Sequence, residues 1–176
     1  MLDPRAQRIS KVYYKLVELS AMCDNMFKFR PLNTAYTMYE MEFNGIEGLY
    51  AVGKLIKKRT AHKVVLSLPA EFPVKIPKLT MVTRVFHPNI AVNGVVCLGT
   101  RWTPMTGIDK IIIELANMIQ LKSYNLENPY NEDAREWVLR NKNSISRIIK
   151  QTKFPPTSDE LEILGREKDD LEIVEY

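Results

Sequence analysis

The sequence predicts a single α+β domain, and three observations carry that prediction. Apolar residues recur at helical spacing near the N-terminus, short runs rich in Val, Ile, Tyr and Phe occupy residues 36–83, and helical spacing returns after residue 106. Helices and strands that are segregated along the chain are typical of α+β folds. A chain of 176 residues suffices for one core and is short for two.

The first element is predicted to be a helix that begins at Pro4 with Asp3 as its N-cap. Proline is favoured there because the first helical position leaves its N–H unpaired anyway. The apolar face consists of Ile9, Val12, Tyr13, Leu16 and Leu19. Away from it lies the basic stripe, which we define as Arg5, Arg8, Lys11 and Lys15. A solvated face and a docking surface for an acidic partner both fit this stripe.

The middle of the chain is predicted to form three or four antiparallel strands. The candidate segments are residues 35–43, 48–57, 62–68 and 78–83, separated by the stretches FNGIEG, KKRTAHK and LPAEFPVKIP. In the last of these, prolines recur at every fourth position, at Pro69, Pro73 and Pro77. Such spacing excludes a helix interior and a central strand, so this stretch is predicted to be a rigid loop.

An irregular segment and two helices are predicted to complete the domain. Residues 84–105 show no regular period and contain the turn-forming stretches FHPN and VNGV. The next helix follows the stretch TPMTG and is predicted to be buried because its apolar stripe is broad: Ile108, Ile111, Ile112, Leu115, Met118 and Ile119. A last helix is predicted over residues 134–151, with inward-facing Trp137, Val138, Ile145, Ile148 and Ile149.

Charge divides the chain into a basic body and an acidic tail. Residues 156–176 contain eight acidic and two basic residues, so the remainder carries +10 while the whole chain carries +4. We interpret residues 1–155 as the core domain and 156–176 as an acidic tail, either mobile or forming a short amphipathic helix. The basic body fits acidic protein surfaces better than nucleic acid, because its aromatic residues do not alternate with basic ones and no nucleic-acid motif is present.

The compartment is predicted from apolar runs and cysteine usage. No run approaches the roughly 20 apolar residues of a membrane span, and the N-terminus lacks the apolar centre of a signal peptide. Cys23 and Cys97 form no C-x-x-C motif, and only His62 and His87 accompany them. We therefore expect a cytoplasmic protein with free thiols, no membrane partner and no bound metal.

Cys97 admits two interpretations. Between Val96 and Leu98 it fits a small buried residue, as does Cys23 at the end of the first helix. Its segment, however, is turn-rich and irregular, and such segments are where reactive groups are usually found. The residues around it leave both interpretations open.

A cysteine protease is the first enzyme class to test, because Cys97, His87 and Asn89 supply its three residue types. In such a triad the asparagine must orient the histidine ring. Pro88 lies between the two and stiffens the turn, so Asn89 is poorly placed for that task. A protease is therefore disfavoured.

Residues 71–99, EFPVKIPKLTMVTRVFHPNIAVNGVVCLG, resemble the centre of the ubiquitin-conjugating enzymes. The family pattern is Y/F-P-x-x-x-P, a strand, H-P-N, and the active-site cysteine eight positions after the asparagine. The matching residues here are Phe72, Pro73, Pro77, His87, Pro88, Asn89 and Cys97. Downstream, Trp102 and Pro104 resemble the family's W-x-P loop, and NPYNEDA resembles its N-P-L-N-x-x-A. The likeness covers roughly residues 5–155. It implies the UBC-like fold, with an N-terminal helix, a four-stranded antiparallel meander sheet, an irregular active-site segment and two C-terminal helices.

The resemblance implies a carrier enzyme. Cys97 would accept the C-terminus of ubiquitin or a ubiquitin-like protein from an activating enzyme as a thioester, and pass it to a lysine amine or a ligase. It implies no cofactor, because the activating enzyme consumes the ATP. Asn89 would hold the active-site loop and donate to the oxyanion that forms during transfer. His87 and Pro88 would be structural.

The same resemblance implies where partners bind. The basic stripe would contact the activating enzyme, and ligases would contact the loops that contain Val74 and, further on, Pro104 and Met105. This shifts our interpretation of the stripe towards a docking surface.

Three departures from the family pattern indicate a divergent member. Trp102 follows Cys97 by five residues where eight are common, and the G-P-x-x-T-P-Y signature is missing. The acidic residue that often positions the incoming lysine is replaced by Asn128, with Glu127 before it, so either of these is the candidate. We interpret the chain as serving a ubiquitin-like modifier in a small or bacterial conjugation pathway. The alternative is a non-catalytic UBC-fold module that binds ubiquitin-like proteins, although such modules lack the cysteine.

Overall fold

The fold is described by a computed structural model that covers residues 3–99 and 103–156. It contains the helix α1 (Pro4–Met22), a short 3₁₀ turn (Asp24–Met26) and four strands, β1 (Phe27–Pro31), β2 (Met38–Val52), β3 (Leu55–Ser67) and β4 (Lys78–Met81). Helices α2 (Ile108–Ile119), α3 (Glu132–Asn141) and α4 (Ile145–Ile148) follow. The strands form one antiparallel sheet in the order β1-β2-β3-β4. The α+β class and the order of elements predicted from the sequence are confirmed.

Helix α1 begins as predicted. Pro4 is its first residue, and the Asp3 side chain caps it by accepting from the backbone N–H of Arg5. Its buried residues are Ile9, Val12, Leu16 and Leu19. These pack with the buried face of α2 and with the aromatic residues of β1 and β2 into the main core. Helices α1 and α2 therefore cover one face of the sheet.

Three predictions about the strands were wrong in detail. The segment 48–57 is not one strand, because the chain reverses at Gly53 and Lys54 and pairs Val52 with Leu55. The stretch KKRTAHK, predicted to be a turn, lies within β3, where most of its side chains face solvent. The predicted break FNGIEG is a register shift inside β2, between Asn44 and Gly48.

Strand β1 was not predicted at all. It has five residues, pairs only with β2 and ends at Pro31, as an edge strand can. Phe27 and Phe29 provide its apolar alternation, and the Phe27 ring packs edge-on or tilted against Phe43 and Phe154 in the core. A strand of five residues offers too few alternating positions for composition alone to distinguish it from a loop.

The last predicted helix is divided in two. Helix α3 ends at Asn141 and α4 comprises only residues 145–148, with turns between them. The Asn131 side chain caps α3, and Val138, Ile145 and Ile149 are buried in a second core cluster. Trp137 and Ile148 are only partly buried against that cluster. In the polar run NKNS that separates the two helices, the Asn141 side chain donates to the carbonyl of Trp137 at 2.8 Å and so competes with the helical backbone bonds.

Among the residues that the structure describes, no helix combines the length and the apolar character needed to cross a bilayer. The predicted loop is confirmed, since residues 68–77 contain neither helix nor strand, and its rigidity stays a prediction. The predicted acidic tail lies outside the described residues, apart from Pro156.

Candidate functional site

The site is built around a tight turn at His87, Pro88 and Asn89. The ring Nδ1 of His87 accepts the backbone N–H of Asn89 at 3.0 Å, so the ring's Nε2 carries the proton and donates to the carbonyl of Ser123 at 2.9 Å. The ring is fully buried, and burial lowers the pKa of His87 to about 4. His87 is therefore neutral near pH 7 and ties the turn to the segment after α2.

The carbonyl of Pro88 holds the other side of the turn. It accepts the backbone N–H groups of Tyr130 at 2.7 Å and Asn131 at 3.0 Å. Asn131 is also the N-cap of α3. The turn is thus attached to the start of α3 as well as to the segment after α2.

The Asn89 side chain is clamped to the backbone of Asn125 in both directions. Its Oδ1 accepts the Asn125 N–H at 2.7 Å and its Nδ2 donates to the Asn125 carbonyl at 2.8 Å. The required backbone donor fixes which end of the amide is oxygen. An amide nitrogen carries two hydrogens, and Asn125 takes only one of them.

Cys97 is positioned by the same turn. Its backbone N–H donates to the carbonyl of Asn89 at 2.9 Å. The preceding residue, Val96, donates to Leu79 in β4 at 3.1 Å, and the Gly94 carbonyl accepts from Met81 at 2.8 Å. These hydrogen bonds between residues 94–96 and β4 form a short ladder at the edge of the sheet. Cys97 follows this ladder directly, which makes its backbone position rigid.

Gly94 is the tightest point of this ladder, and we expect its substitution to be costly. Its φ is +91°, and a Cβ placed there would lie 2.2 Å from the carbonyl oxygen of Met81. Gly94→Ala is expected to lower the free energy of unfolding by about 3 kcal/mol, from strained backbone and steric overlap together. Urea denaturation measures the change.

Gly45→Ala is the matched control for that prediction. Gly45 has a φ of +75°, but no atom lies within 4 Å of its Cβ position. This variant should lose only about 1 kcal/mol, from the backbone alone. Equal losses in the free energy of unfolding for the two variants would show that the ladder to β4 adjusts to a Cβ at little cost and does not fix the position of Cys97.

The two cysteines lie in opposite environments. Cys23 is completely buried in the main core, and burial raises the pKa of its thiol to about 11. Cys97 is partly exposed and lines a surface cleft of about 610 Å³. Because the thiolate is the reactive form, Cys23 is inert at neutral pH, while Cys97 is accessible to a reactant.

The cleft brings together most of the predicted catalytic residues. Cys97, Asn89, Glu127 and Asn128 all line it, together with Leu98, Gly99, Glu114, Met118, Ser123, Tyr124 and Asn125. Glu127 and Asn128 are both exposed at its edge. Two carboxylates, Glu114 and Glu127, and no basic side chain occur among the described lining residues. Such a lining attracts a cationic amine.

Three residues of this region were missed by sequence reasoning. Asn125 contributes only its backbone to the clamp, and no side-chain pattern could have indicated that. Glu114 reaches the cleft from α2 and accepts a hydrogen bond from Ser123. The backbone N–H of Tyr130 donates to the carbonyl of Pro88 in the turn. Glu114 and Tyr130 are distant from Cys97 in the sequence, so only the fold brings them to this region.

The basic stripe is divided between two roles. Arg5 donates from Nε to the carbonyl of Ala70 at 2.9 Å and so ties α1 to the proline-rich loop. The other three members, Arg8, Lys11 and Lys15, line a groove of about 340 Å³ together with Met105 and Phe72. Lys15 is also paired with Glu18 at 2.6 Å, and both side chains are exposed.

The predicted loop residues are at the surface. Val74 is 77% exposed and Met105 is 84% exposed. Pro104 is also exposed and lies inside the turn that the backbone N–H of Thr106 closes by donating to the carbonyl of Thr103. Trp102 lies outside the described residues, so the consequence of the short spacing from Cys97 stays a prediction.

We expect stability to depend on pH through both histidines. Burial lowers the pKa of His62 and of His87 to about 4, whereas an unfolded histidine has its ordinary value near 6.5. Between these values the unfolded chain binds two protons that the folded chain does not. The contribution of the two neutral histidines to the free energy of unfolding is therefore complete above pH 6.5. It is lost as the pH drops towards 4, with a slope of up to about 2.7 kcal/mol per pH unit.

Urea denaturation from pH 7.5 down to pH 5 checks this slope. That range lies above the titration of ordinary carboxylates, which would otherwise add their own dependence. His62→Gln retains a donor for the carbonyl of Ile46 and should roughly halve the slope. A flat stability profile between pH 6.5 and 5 would contradict the prediction.

The comparisons with known proteins agree with this geometry. A family model described as "Ubiquitin-conjugating enzyme" matches residues 11–153. "Ubiquitin-conjugating enzyme E2 S" of Drosophila melanogaster is 31% identical over 114 residues, which are 61% of this chain and 54% of that protein. The protein of the same name from Dictyostelium discoideum is 29% identical over 136 residues, which are 76% of this chain and 60% of that protein. The chain thus spans little more than half the length of these curated relatives. Because the family model covers most of the chain and the fold agrees with it, the chain belongs to the ubiquitin-conjugating enzyme family.

Proposed function

We propose that the chain is a ubiquitin-conjugating-type carrier that holds ubiquitin or a ubiquitin-like protein on Cys97 as a thioester. It receives the modifier from an activating enzyme and transfers it to a lysine amine or to a ligase. The observation that carries this proposal is the partly exposed thiol of Cys97, held in a cleft beside Asn89 by a rigid backbone. A buried thiol could not accept a protein's C-terminus.

The chemistry assigned to Cys97 follows from sulfur. In loading, the thiolate attacks the carbonyl carbon of the thioester on the activating enzyme; a new C–S bond forms and that enzyme's thiolate leaves. In transfer, an amine attacks the same carbon, the C–Sγ bond breaks, and the amine loses its proton to solvent. Neither step needs a metal or an organic cofactor in this chain, and the activating enzyme consumes the ATP.

We assign Asn89 two functions. The first is mechanical, since its amide clamps the turn to Asn125. The second uses the other hydrogen of Nδ2, which would donate to the oxyanion that forms as the amine attacks the thioester. A preorganised side-chain donor of this kind contributes a factor of about 10²–10³ in other enzymes.

Lysine positioning is assigned to the edge of the cleft. Asn128 and Glu127 are exposed there, and Glu114 adds a second carboxylate deeper in the cleft. A carboxylate favours approach of the ammonium group, and the amide of Asn128 can accept a hydrogen bond from the amine. His87 and Pro88 are assigned a structural function only, which is to hold the turn in place.

Partner binding is assigned to the surface that contains the groove on α1. Arg8, Lys11 and Lys15 would attract an acidic surface of the activating enzyme, while Arg5 supports the loop below them. Val74, Pro104 and Met105 would contact a ligase, as the resemblance to the family implies, and all three are exposed. A cytoplasmic location, and a bacterial or ubiquitin-like-modifier pathway, stay predictions.

A charging experiment tests the proposal. The full chain is incubated with an activating enzyme, ATP and either ubiquitin or a candidate ubiquitin-like modifier, and the products are separated with and without reductant. A carrier forms an adduct that depends on ATP and disappears with reductant. The alternative, a non-catalytic module on the same fold, binds the modifier but forms no such adduct with any partner pair.

A further inference from the structure

The hairpin formed by β2 and β3 extends beyond the rest of the sheet. Its outer part, residues 48–59, is here called the arm, and within the described part of the chain these residues pair only with one another. β1 pairs with β2 no further than Phe43, and β4 pairs with β3 no further than Val64. The arm lies in the stretch that replaces the family's G-P-x-x-T-P-Y signature, so it is a feature in which this chain departs from the family pattern.

The arm has one packed face and one free face. Leu49, Ala51 and Ile56 pack on the second core cluster. Successive side chains of a strand point to opposite faces, so the positions that alternate with these three form the other face. We call this the free face, and it consists of Tyr50, Val52, Leu55, Lys57 and Arg59. Val52 is 47% exposed and Leu55 is 63% exposed, so the free face presents apolar side chains to solvent.

The arm carries only positive charge. Its residues include four basic side chains and no acidic one. Lys58 is paired with Glu47 at 3.1 Å. The other three, Lys54, Lys57 and Arg59, form no ion pair with any residue that the structure describes. The free face and the adjoining turn therefore combine exposed apolar side chains with three uncompensated positive charges.

The sequence contains a segment that complements this surface. Residues 169–175, DDLEIVE, are here called the acidic segment and contain four acidic residues, three apolar residues and no basic one. Its acidic and apolar residues are interleaved, as the basic and apolar residues of the arm are. A second copy of the arm is a poor occupant by comparison, because like charges would meet.

The C-terminal part of the described chain is attached at the base of the arm. The backbone N–H of Lys150 donates to the Glu47 carboxylate at 2.9 Å, and the same carboxylate pairs with Lys58 of the arm. A segment on the same chain is present at an effective concentration in the millimolar range, so weak contacts are enough to hold it. This attachment favours the chain's own acidic segment over a separate acidic protein.

The acidic segment is long enough a distance from this attachment to reach the free face. Phe154 packs against Phe43 of β2, with ring centroids 5.5 Å apart. From Phe43 to Val52, near the tip of the arm, β2 spans at most about 30 Å. The chain from Phe154 to Asp169 can span about 50 Å when it is extended. Asp169 can therefore lie beside the tip of the arm.

We propose that the acidic segment docks on the free face of the arm of its own chain. Its carboxylates lie beside Lys54, Lys57 and Arg59, and its apolar residues contact Val52 and Leu55. The docked segment neutralises the positive charge of the arm and covers its exposed apolar side chains. This docking is independent of the carrier function, because it involves no residue of the cleft.

A spin label at the end of the acidic segment tests the proposal. Tyr176→Cys is made in the full chain together with Cys97→Ser and is labelled with a nitroxide; Cys23 stays unlabelled because it is completely buried. We expect the amide signals of residues 50–57 to be at least about twofold weaker with active than with reduced nitroxide, because tethering keeps the docked state populated. The effect should be present in about 0.05 M salt and lost in about 0.5 M salt, which screens exposed charges.

Charge variants identify the surface that is responsible. Lys54→Glu combined with Lys57→Glu should abolish the weakening. Arg8→Glu combined with Lys11→Glu makes the same change of charge in the groove on α1, and it is the matched control that should leave the weakening at the arm unchanged. Neutralising the acidic segment, with Asp169→Asn, Asp170→Asn, Glu172→Gln and Glu175→Gln, should also abolish it. This last variant alters no residue of the described domain, so the test does not depend on the stability of the arm variants.

Four outcomes would overturn the proposal. The first is an arm whose amide signals are unaffected by the nitroxide, and the second is weakening that is confined to the groove on α1. The third is weakening at the arm that persists in high salt or in the neutralised segment. The fourth is equal weakening of a ¹⁵N-labelled chain without nitroxide when nitroxide-labelled chains are added to it, because the segment would then bind a second copy. The carrier function is measured separately by the charging experiment, and none of these outcomes bears on it.

Discussion

Cys97→Ala is expected to abolish modifier transfer, with a loss of at least about 10³-fold, and to leave the fold unchanged. The reason is chemical, because no other group among the described residues that line the cleft combines a good nucleophile with a good leaving group. The side chain is partly exposed, so its removal leaves no sealed cavity. Single-turnover transfer and urea denaturation of the same preparation measure the two expectations.

Cys23→Ala is the matched control for that variant. Cys23 is completely buried, and its raised thiol pKa keeps it protonated, so transfer should be unchanged. The cost should appear in stability instead, at about 1 kcal/mol, because the side chain belongs to the main core. Transfer that is lost in Cys23→Ala and retained in Cys97→Ala would reverse the assignment of the two thiols.

Asn89→Ala is expected to slow aminolysis of the loaded thioester by about 10²–10³-fold. It removes the donor assigned to the oxyanion and also breaks both bonds to Asn125, so we expect a loss of about 2 kcal/mol in the free energy of unfolding. Asn89→Asp retains an acceptor for the Asn125 N–H but loses the donor. It should therefore show a comparable rate defect. Rates are measured well below the denaturation midpoint, so that unfolding does not contribute.

Asn93→Asp controls for the added charge in Asn89→Asp. Asn93 lies in the same segment, and its Oδ1 accepts the backbone N–H of Val95, which a carboxylate does equally well. Its discharge rate should match that of the parent chain. If both Asn89 variants accept a thioester and discharge it at nearly the parent rate, the oxyanion role is refuted and Asn89 is left with the clamp alone.

The helices could be predicted from the sequence because each has a strong local signal. Asp3 and Pro4 indicated the start of α1, and six regularly spaced apolar residues indicated α2. The strands were predicted less well. The hairpin at Gly53 joins two runs with similar composition, and β1 is short, so pairing between strands determined boundaries that local composition does not show.

The candidate site was predicted only in part, for a comparable reason. The motif around His87, Asn89 and Cys97 is contiguous, and its residues do lie together. Glu114 on α2 reaches the cleft, and Tyr130 before α3 reaches the turn at Pro88, only through the tertiary fold, which is why both were missed. The division of the core domain from the acidic tail stays a prediction, since residues 157–176 lie outside the described part of the chain.

The most direct test of the central claim is mass spectrometry of the chain after incubation with activating enzyme, modifier and ATP, quenched in acid. The account predicts a gain equal to the modifier's mass less one water, reversed by hydroxylamine, with Cys97 protected from iodoacetamide in proportion to loading. An adduct that is mapped to a lysine, or a Cys97 that stays fully alkylatable in the loaded protein, would contradict it.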